Sequence, residues 1–272
     1  MAQNLLAGKR GIITGALDEN SIAWKVAQKA VQQGAQITLT NAPVAMRMGA
    51  INRLAEECNT IVIPADATSL TDLENLYTKS MDHLGGKIDF VLHSIGMSVN
   101  VRKGRPYTDL DYGFLEKTYD VSAISFHKMA QTAFKLDAIN EWGSILGLTY
   151  IAAQRIFPDY GDMADAKSLL ESMARGWGYH YGKKAKVRVN TISQSPTKTT
   201  AGSGVGGFDA FFNYADTMSP LGNASAEDCA NYCIFMFSDL SRMITMQNLF
   251  HDGGFSNMGI APEIVTQFKD KE

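Results

Sequence analysis

Apolar segments of strand length alternate with helix-length segments along this 272-residue sequence. The apolar segments lack the polar alternation of a half-exposed strand, which indicates strands that are buried on both faces. Such strands, each followed by a helix, predict a parallel sheet with helices on both sides. Because crossovers between parallel strands are right-handed, we expect a single-domain, Rossmann-like, doubly wound α/β fold over residues 1–272.

The segments predict seven strands and two well-bounded helices. The strands are expected at residues 11–14, 36–40, 60–64, 88–93, 144–149, 187–192 and 246–250. The helices are expected at residues 21–33 and 70–84, where glycines follow each helical pattern. Ligands of such sheets bind beyond the carboxyl ends of the strands, so the residues that follow each strand are the candidates for a binding site.

Composition excludes several classes of protein. Hydrophobic residues make up 45% and charged residues 19% of the chain, which predicts a large core rather than disorder. A net charge of −3 gives no general attraction to nucleic acid or to an anionic membrane surface.

The cysteines and the first residues favour a reducing compartment. The 3 cysteines are too few and too scattered for a disulfide framework. Cys229 and Cys233 lie one helical turn apart without nearby histidines, so we expect packing rather than a metal site. Residues 1–9 lack the order of a signal peptide, and no apolar run reaches membrane-spanning length, so a cytoplasmic location is expected.

The segment after the first strand keeps only part of a dinucleotide-binding fingerprint. Gly15 is the one glycine of a G-x-G-x-x-G pattern that remains, and it permits a sharp turn. Ser21 and Ile22 begin a helix whose free N–H groups suit a pyrophosphate. Asp18 and Glu19 must then point away from the phosphates. The alternative is an ordinary strand-to-helix turn.

The next strand ends bear on the choice of cofactor. Asn41 follows the second strand where an acid would bind an adenosine ribose, and no cation comes before Arg47 to hold a 2′-phosphate. We favour NADH over NADPH. Asp66, with Ala67, follows the third strand as an acceptor for the adenine amino group or as a helix N-cap. Gly96 follows the fourth and allows close backbone approach to a cofactor.

The fifth strand is followed by the candidate catalytic residues Tyr150, Tyr160 and Lys167. The order of strands, tyrosine and lysine resembles the short-chain dehydrogenase/reductase superfamily. Most members place the tyrosine four residues before the lysine, where this chain has Met163, which cannot donate a proton. Tyr160 stands seven residues before Lys167 instead. This spacing, with Tyr150, resembles the enoyl-acyl carrier protein reductases of bacterial type II fatty-acid synthesis.

The resemblance covers essentially the whole chain. Besides the tyrosines and the lysine, it includes Gly15 with residues 21–23, residues 93–96, residues 188–190 before 195–197, and residues 251–254. It implies an NADH-dependent reductase in which Tyr160 stabilises an enolate, Lys167 holds the nicotinamide ribose, and Tyr150 supports the substrate. It also implies acyl carrier protein as the carrier of the substrate, and a homotetramer.

Site residues are carried over by position, and no metal is expected. Cofactor contacts are expected from Gly15, Ser21, Ile22, Asp66, Ala67, Ser94, Ile95, Gly96, Thr149, Lys167, Pro196, Thr197 and Thr199. Substrate contacts are expected from Ser98, Tyr150, Tyr160, Ala201 and Phe208. His93 lies within an apolar strand and is expected to be packed rather than catalytic.

The altered tyrosine spacing has a chemical reason. Reduction of a ketone places hydride on the carbon that bears the reacting oxygen, whereas reduction of an enoyl thioester places it on the β-carbon, two bonds from the carbonyl carbon. The oxygen donor must therefore stand further from the nicotinamide. On a helix, offsets of four and seven residues rise by about 6 and about 10.5 Å on the same face.

A glycine-, serine- and threonine-rich segment at residues 193–207 leads into an aromatic one, and we expect a substrate-binding loop at about 194–219. Hydroxyls at 197, 199 and 200 suit a phosphate on the nicotinamide side of the cofactor. The apolar residues at helical spacing are Phe208, Phe211, Phe212, Ala215 and Met218. Their face either packs on the body of the protein or covers an acyl chain, and a lid does both in turn.

Two other functions fit parts of the pattern. A 3-oxoacyl-thioester reductase of the same superfamily needs a tyrosine where Met163 stands. A non-catalytic NAD-binding protein has no need of Tyr160, Lys167 and an apolar loop together. Small residues at 174, 176 and 178 within a long predicted helix suggest close contact with a second helix and thus self-association.

Overall fold

A computed structural model of the chain describes residues 4–48, 50–200, 202 and 207–269. Over these residues it contains one six-stranded sheet in the order β2-β1-β3-β4-β5-β6, with every pair parallel. The strands are β1 (Arg10–Thr14), β2 (Gln36–Thr40), β3 (Ile88–His93), β4 (Ile139–Thr149), β5 (Arg188–Gln194) and β6 (Asn248–His251). The order reverses at β1, so the doubly wound sheet expected from the sequence is confirmed.

Helices connect the strands and cover both faces of the sheet. They are α1 (Ile22–Gln32), α2 (Ala50–Glu57), α3 (Leu70–Leu84), α4 (Val99–Arg102), α5 (Tyr112–Tyr119), α6 (Ser125–Lys135), α7 (Gly161–Ala185), α8 (Phe208–Met218), α9 (Ala226–Phe237) and α10 (Pro262–Lys269). A turn of π-helix at Asp120–Ile124 joins α5 to α6.

Two cores, one on each face, explain the unbroken apolar strands. Ile12 and Ile13 are neighbours on β1, and both are fully buried, but Ile13 belongs to the core that contains α1 and α9. Ile12 belongs to the core formed with α3, α6 and α7. Successive strand residues point to opposite faces, so a strand covered on both sides buries every residue.

The strand predicted at residues 60–64 is wrong, and the sheet has six strands rather than seven. The segment lies beside β2, where Leu39 donates to the Ile61 carbonyl and Ile63 donates to the Leu39 carbonyl. It forms one isolated bridge, Leu39 to Val62, and no ladder. Pro64 follows at once and has no backbone N–H to donate, which confines such a segment to a sheet edge.

The cysteines pack in the core, and two of the three small residues of α7 are turned inward. Cys229 and Cys233 are free and fully buried, as predicted. A Cβ added to Gly178 would lie 2.5 Å from Met246 Cγ, so this glycine accommodates a contact within the chain rather than a partner helix. Ala174 is buried in the same way.

Over the described residues, no helix combines the length and apolarity needed to span a membrane.

Buried side chains of the central strands contribute to the stability of the fold. Leu92 on β3 is fully buried, and Leu92→Ala is expected to lower the free energy of unfolding by about 2–5 kcal/mol, because it leaves a cavity in the core. Leu240, which is 68% exposed, is the matched control. Leu240→Ala should change the free energy of unfolding by less than about 0.5 kcal/mol. Urea unfolding of both variants measures the difference; equal losses would contradict this assignment of the core.

Candidate active site

A cavity of about 240 Å³ opens beyond the carboxyl ends of the strands. Most of the predicted site residues line it: Ile22, Ser94, Ile95, Gly96, Ser98, Thr149, Tyr150, Tyr160, Lys167, Pro196, Thr197, Thr199 and Phe208. The doubly wound fold predicts a site at this edge, next to the point where the strand order reverses. Residues from the ends of β3, β4 and β5 and from the helices α1, α7 and α8 therefore converge on one place.

The turn after β1 fits the approach of a phosphate. Gly15 has a φ of +84°, and a Cβ there would lie 2.0 Å from the Ser94 carbonyl oxygen, so only glycine fits. Ser21 is the N-cap of α1, but its side chain does not cap the helix. Its Oγ instead accepts from the backbone N–H groups of Leu17 and Asp18. The first turn of α1 is therefore left to bind an anion.

The two acids in this turn have different partners. Asp18 accepts from the Asn20 N–H at 3.0 Å and from the Thr200 hydroxyl. Glu19 pairs with Arg53 at 2.7 Å on the surface. Glu19 is thus turned away from the first turn of α1, whereas Asp18 Oδ1 also lies 3.4 Å from Oγ of the N-cap residue Ser21, so the expectation holds for Glu19 and not for Asp18.

Lys167 is a buried cation at the centre of the site. Its Nζ donates to the Leu148 carbonyl at 2.8 Å, and the residue is 9% exposed. A Cβ on Gly96 would lie 3.6 Å from this Nζ, so the β3 turn passes close to it. Burial lowers the pKa of Lys167 to about 8, and the Glu171 carboxylate, one helical turn away, opposes that shift.

Glu171 is held in turn by two donors. Thr149 Oγ1 donates to one carboxylate oxygen and Gln154 Nε2 to the other, each at 3.0 Å. Burial raises the pKa of Glu171, and these two hydrogen bonds oppose the shift. The Thr149 hydroxyl is thus turned toward Glu171, although the residue lines the cavity.

Two tyrosines of the cavity lining lie together. The rings of Tyr150 and Tyr160 are 5.4 Å apart in an edge-to-face arrangement. Burial raises the pKa of Tyr160 to about 12. Burial also raises the pKa of Tyr150, whose buried hydroxyl has no hydrogen-bond partner among the described residues. An orphaned hydroxyl beside a cavity is a candidate partner for a ligand.

Tyr160 does not stand on the helix that carries Lys167. Helix α7 begins at Gly161, and Tyr160 is its N-cap, at the end of a short 3-10 turn. The same-face argument for a seven-residue helical offset therefore does not apply. Gly161 has φ +43° and ψ −136°, a conformation almost confined to glycine, and this turn directs Tyr160.

The apolar face predicted after the glycine-rich segment is confirmed. Ala215 and Met218 of α8 are buried, whereas Phe208 and Phe211 line the cavity. The Phe211 ring contacts that of Phe157 at 5.1 Å. The face therefore packs on the body at one end and borders the cavity at the other.

Four predicted residues lie apart from this cavity, and a fifth lies outside the described residues. Gly15 and Ser21 shape the phosphate turn without lining the cavity, as described above. Asp66 is exposed and accepts from the N–H and hydroxyl of Thr68, while Ser69, rather than Asp66, is the N-cap of α3. Its neighbour at 67 is likewise not in the cavity lining. Ala201 lies outside the described residues.

Gln194 was missed by the sequence analysis. It lines the cavity, is 4% exposed, and its side-chain amide donates to Thr197 Oγ1 at 3.2 Å and to the Ala224 carbonyl at 3.0 Å. Its Oε1 lies 2.7 Å from His251 Nδ1. It thereby fixes the segment that follows β5. Its only sequence signal is its place directly after the predicted sixth strand.

His93 is packed, as predicted. It is 1% exposed, and its Nε2 lies 2.8 Å from Ser125 Oγ. Burial, with the nearby Lys167 cation, lowers the pKa of His93 to about 3, so its ring is neutral at physiological pH. The other lining residues that sequence reasoning did not single out are Met97, Val101, Arg102, Leu148 and Gly202.

Comparisons with known proteins agree with this geometry. The model of a family described as Enoyl-(Acyl carrier protein) reductase matches residues 15–256. Enoyl-(acyl-carrier-protein) reductase (NADH) 1 of Rhizobium meliloti is 34% identical over 97% of each chain. The corresponding FabI enzyme of Rickettsia bellii is 35% identical over 95% of this chain and 98% of its own.

Solved structures are similar over nearly the same length. The crystal structure of a FabI–NADH complex from Alistipes finegoldii is 67% identical, has a TM-score of 0.94, and covers 95% of this chain and 91% of its own. The enoyl-(acyl-carrier-protein) reductase of Aquifex aeolicus is 30% identical with a TM-score of 0.86, over 94% of this chain and 99% of its own.

The buried Lys167 is expected to cost stability. Its pKa, lowered to about 8 from an ordinary 10.5, corresponds to about 3 kcal/mol of destabilisation at pH 7. The cost falls as pH rises from about 8 toward 10.5, since only the unfolded chain then binds the proton. Lys167→Met should therefore be more stable than the wild type by about 1–3 kcal/mol at pH 7, and by less at pH 9.5.

Thermal unfolding of the unliganded proteins between pH 7 and 9.5 measures this difference. Lys183→Met, an exposed change on the same helix, is the control and should show no pH-dependent difference. A Lys167→Met variant less stable than wild type at pH 7 would show that the ammonium is stabilised where it lies.

Proposed function

The chain belongs to the enoyl-(acyl carrier protein) reductase family, and on that premise we propose that it uses NADH to reduce the trans-2 double bond of an enoyl thioester borne by acyl carrier protein. The product is the saturated acyl thioester of fatty-acid elongation. One observation carries the proposal: Tyr160 and Lys167 line the same cavity, with Met163 where a carbonyl reductase needs its tyrosine.

The residues present fit NADH. The glycine turn and the uncapped start of α1 suit the pyrophosphate, with Ser21 and Ile22 at that start. The remaining proposed contacts run along the strand ends: Ser94, Ile95, Gly96, Thr149, Pro196, Thr197 and Thr199 for the nicotinamide half, and Asp66 with Ala67 for the adenine. When bound, NADH supplies the hydride that the β-carbon of the substrate accepts.

Lys167 positions the nicotinamide side of the cofactor. With a pKa of about 8 its ammonium is mostly charged at neutral pH, and it has donors beyond the one that Leu148 accepts. We assign these donors to the ribose hydroxyls. The positive charge, held in a site with little water, also favours the negative charge that develops on the substrate.

Tyr160 donates a hydrogen bond to the thioester oxygen. As the β-carbon gains hydride, the carbonyl oxygen takes on enolate character, and a preorganised donor stabilises it. The pKa of about 12 keeps Tyr160 protonated throughout the physiological range, so it acts as a donor rather than as a base. Tyr150 presents a second hydroxyl beside it, and we assign that group to the substrate, because nothing among the described residues hydrogen-bonds it.

The acyl chain lies against the aromatic wall. Phe208 and Phe211 border the cavity from α8, and Phe157 packs on Phe211. The segment at about 194–219, including Ala201, is the proposed substrate-binding loop. Ser98 lines the cavity on the other side, although its hydroxyl is turned away to Asp162.

The assembly and location are also proposed. We propose a homotetramer in the cytoplasm. Free, buried cysteines are compatible with a reducing compartment. Phe250 of the edge strand β6 is 40% exposed and Met243 nearby in sequence is 86% exposed, which supports a covering subunit. Light scattering of the purified protein tests the tetramer.

One assay tests the reaction. The purified protein is mixed with NADH and a short trans-2-enoyl thioester, and the loss of NADH absorbance is followed. Turnover is expected, with NADPH a poorer reductant. Turnover of a 3-oxoacyl thioester in its place would favour a carbonyl reductase, and binding of NADH without turnover of either would favour a non-catalytic protein.

Tyr160→Phe is expected to lower kcat by about 10²–10³-fold, because it removes the hydrogen bond that forms with the enolate. NADH affinity should stay within about twofold of wild type, since the hydroxyl is not assigned to the cofactor. Tyr179→Phe, a 55% exposed tyrosine, is the control. Steady-state kinetics and NADH fluorescence separate the two effects; an unchanged kcat in Tyr160→Phe would remove this residue from the mechanism.

Tyr150→Phe is expected to stabilise the unliganded protein by about 1 kcal/mol, because it deletes a buried hydroxyl without a partner. The same change should raise KM for the enoyl thioester, since the substrate loses that hydroxyl. Thermal unfolding and kinetics measure both. A variant that is less stable and kinetically normal would mean that the hydroxyl serves the fold instead.

A further inference from the structure

A fully buried carboxylate lies beside the proposed active site and is not used in the mechanism above. Asp162 is 0% exposed and stands two residues after Tyr160, in the first turn of α7. It accepts from Ser98 Oγ at 2.6 Å and from Asn100 Nδ2 at 2.8 Å, and Thr118 Oγ1 lies 2.9 Å away, its single proton shared with the Phe114 carbonyl at 2.8 Å. A buried carboxylate is costly unless such donors satisfy it.

Two of these donors, Ser98 and Asn100, belong to a very short helix, and the third, Thr118, is on α5. Ser98 is the N-cap of α4 and also accepts from the Val101 N–H at 3.0 Å. Asn100 exchanges two hydrogen bonds of 3.1 Å with the backbone of Asp111. Helix α4 has four residues, too few to be stable alone. Its place is therefore set by these side-chain contacts.

That helix forms one wall of the cavity. Met97, Ser98, Val101 and Arg102 all line it. Val101 belongs to a small apolar cluster with Met163, against which Tyr160 packs. The start of the wall is fixed separately, because Ser122 Oγ donates to the Met97 carbonyl and accepts from the Met97 N–H.

We propose that Asp162 is a positioning residue that fixes this wall, residues 97–102, against Tyr160 and so determines how tightly the enoyl chain is held. The inference rests on the proposed function, since it assigns the wall to the acyl substrate. The carboxylate reaches the substrate only through Ser98 and Asn100. It therefore acts on substrate binding and orientation, and leaves the cofactor strand ends unchanged.

A comparison of Asp162→Asn with Asp162→Ala tests whether the hydrogen bonds to residue 162 position the wall. In Asp162→Asn, the amide oxygen takes the position that accepts from Asn100 and Thr118. The amide nitrogen then donates to Ser98 Oγ, whose hydroxyl rotates. The Asn100 and Thr118 contacts survive and the Ser98 contact is reversed, so KM for Asp162→Asn is expected to lie much closer to the wild type than KM for Asp162→Ala. Asp162→Ala leaves the donors without an acceptor, and KM for a trans-2-enoyl thioester should rise by about tenfold.

Two further measurements separate positioning from general damage. NADH affinity, measured by fluorescence, should stay within about twofold in Asp162→Ala, because the network does not touch the strand ends that bind the cofactor. Asp159→Ala, an exposed acid next to Tyr160, is the matched control and should behave as wild type. The ratio of KM values for a four-carbon and an eight-carbon enoyl thioester should change in Asp162→Ala and be restored in Asp162→Asn.

Thr118→Val provides the test if Asp162→Ala does not fold. It removes one hydroxyl with little change in volume at a residue that does not line the cavity, so the expected result is a rise in KM without a loss of NADH affinity. Unchanged KM values in folded Asp162→Ala or Thr118→Val, or an equal loss of NADH affinity, would overturn the positioning role alone. Absence of enoyl turnover in the wild type would overturn both this inference and the proposed function.

Discussion

The site depends on a cation that is removed from water. Lys167 has one carbonyl acceptor, from Leu148, and one carboxylate, Glu171, a helical turn away. Burial alone disfavours the charged ammonium, and this is why its pKa falls toward 8. The surroundings are arranged around this charge: Gly96 lets the β3 turn approach it, and Thr149 orients Glu171 from the end of β4. The expected destabilisation of the unliganded protein by this ammonium fits a group whose remaining donors bind a ligand.

The sheet could be largely predicted from the sequence because a strand buried on both faces needs apolar side chains at every position. In β3, Phe90, Val91 and Leu92 are consecutive buried apolar residues, and both Ile88–His93 and Gln36–Thr40 were bounded correctly. The segment at 60–64 is also apolar but lies at the edge of the sheet, where it forms a single bridge and Pro64 has no N–H group to extend the pairing. The apolar composition of a segment indicates that it is buried. Whether it pairs as a strand depends on hydrogen-bond partners, which composition does not specify.

The residues of the site also fall into two groups, those that a local backbone requirement reveals and those whose roles depend on distant partners. Gly15 and Gly96 were found because a backbone that must pass close to another group requires glycine, and that requirement is local. Gln194 and Asp162 were missed because their roles come from partners far along the chain. His251 lies 57 residues from Gln194, and Ser98 lies 64 residues from Asp162. Neither residue type is unusual where it stands, so only the folded chain shows that it is held.

The position of Tyr160 changes the meaning of the seven-residue offset. A tyrosine four residues before the lysine would lie within α7, where Met163 stands, and the helix would fix its distance from Lys167. Tyr160 precedes the helix, so the turn at Gly161 and the ring of Tyr150 fix it instead. In the proposed reaction, this frees the position of the Tyr160 hydroxyl from the spacing that a helix face imposes. Reduction of a carbon–carbon double bond conjugated to a thioester requires a different spacing, because the hydride and the developing charge fall on different atoms.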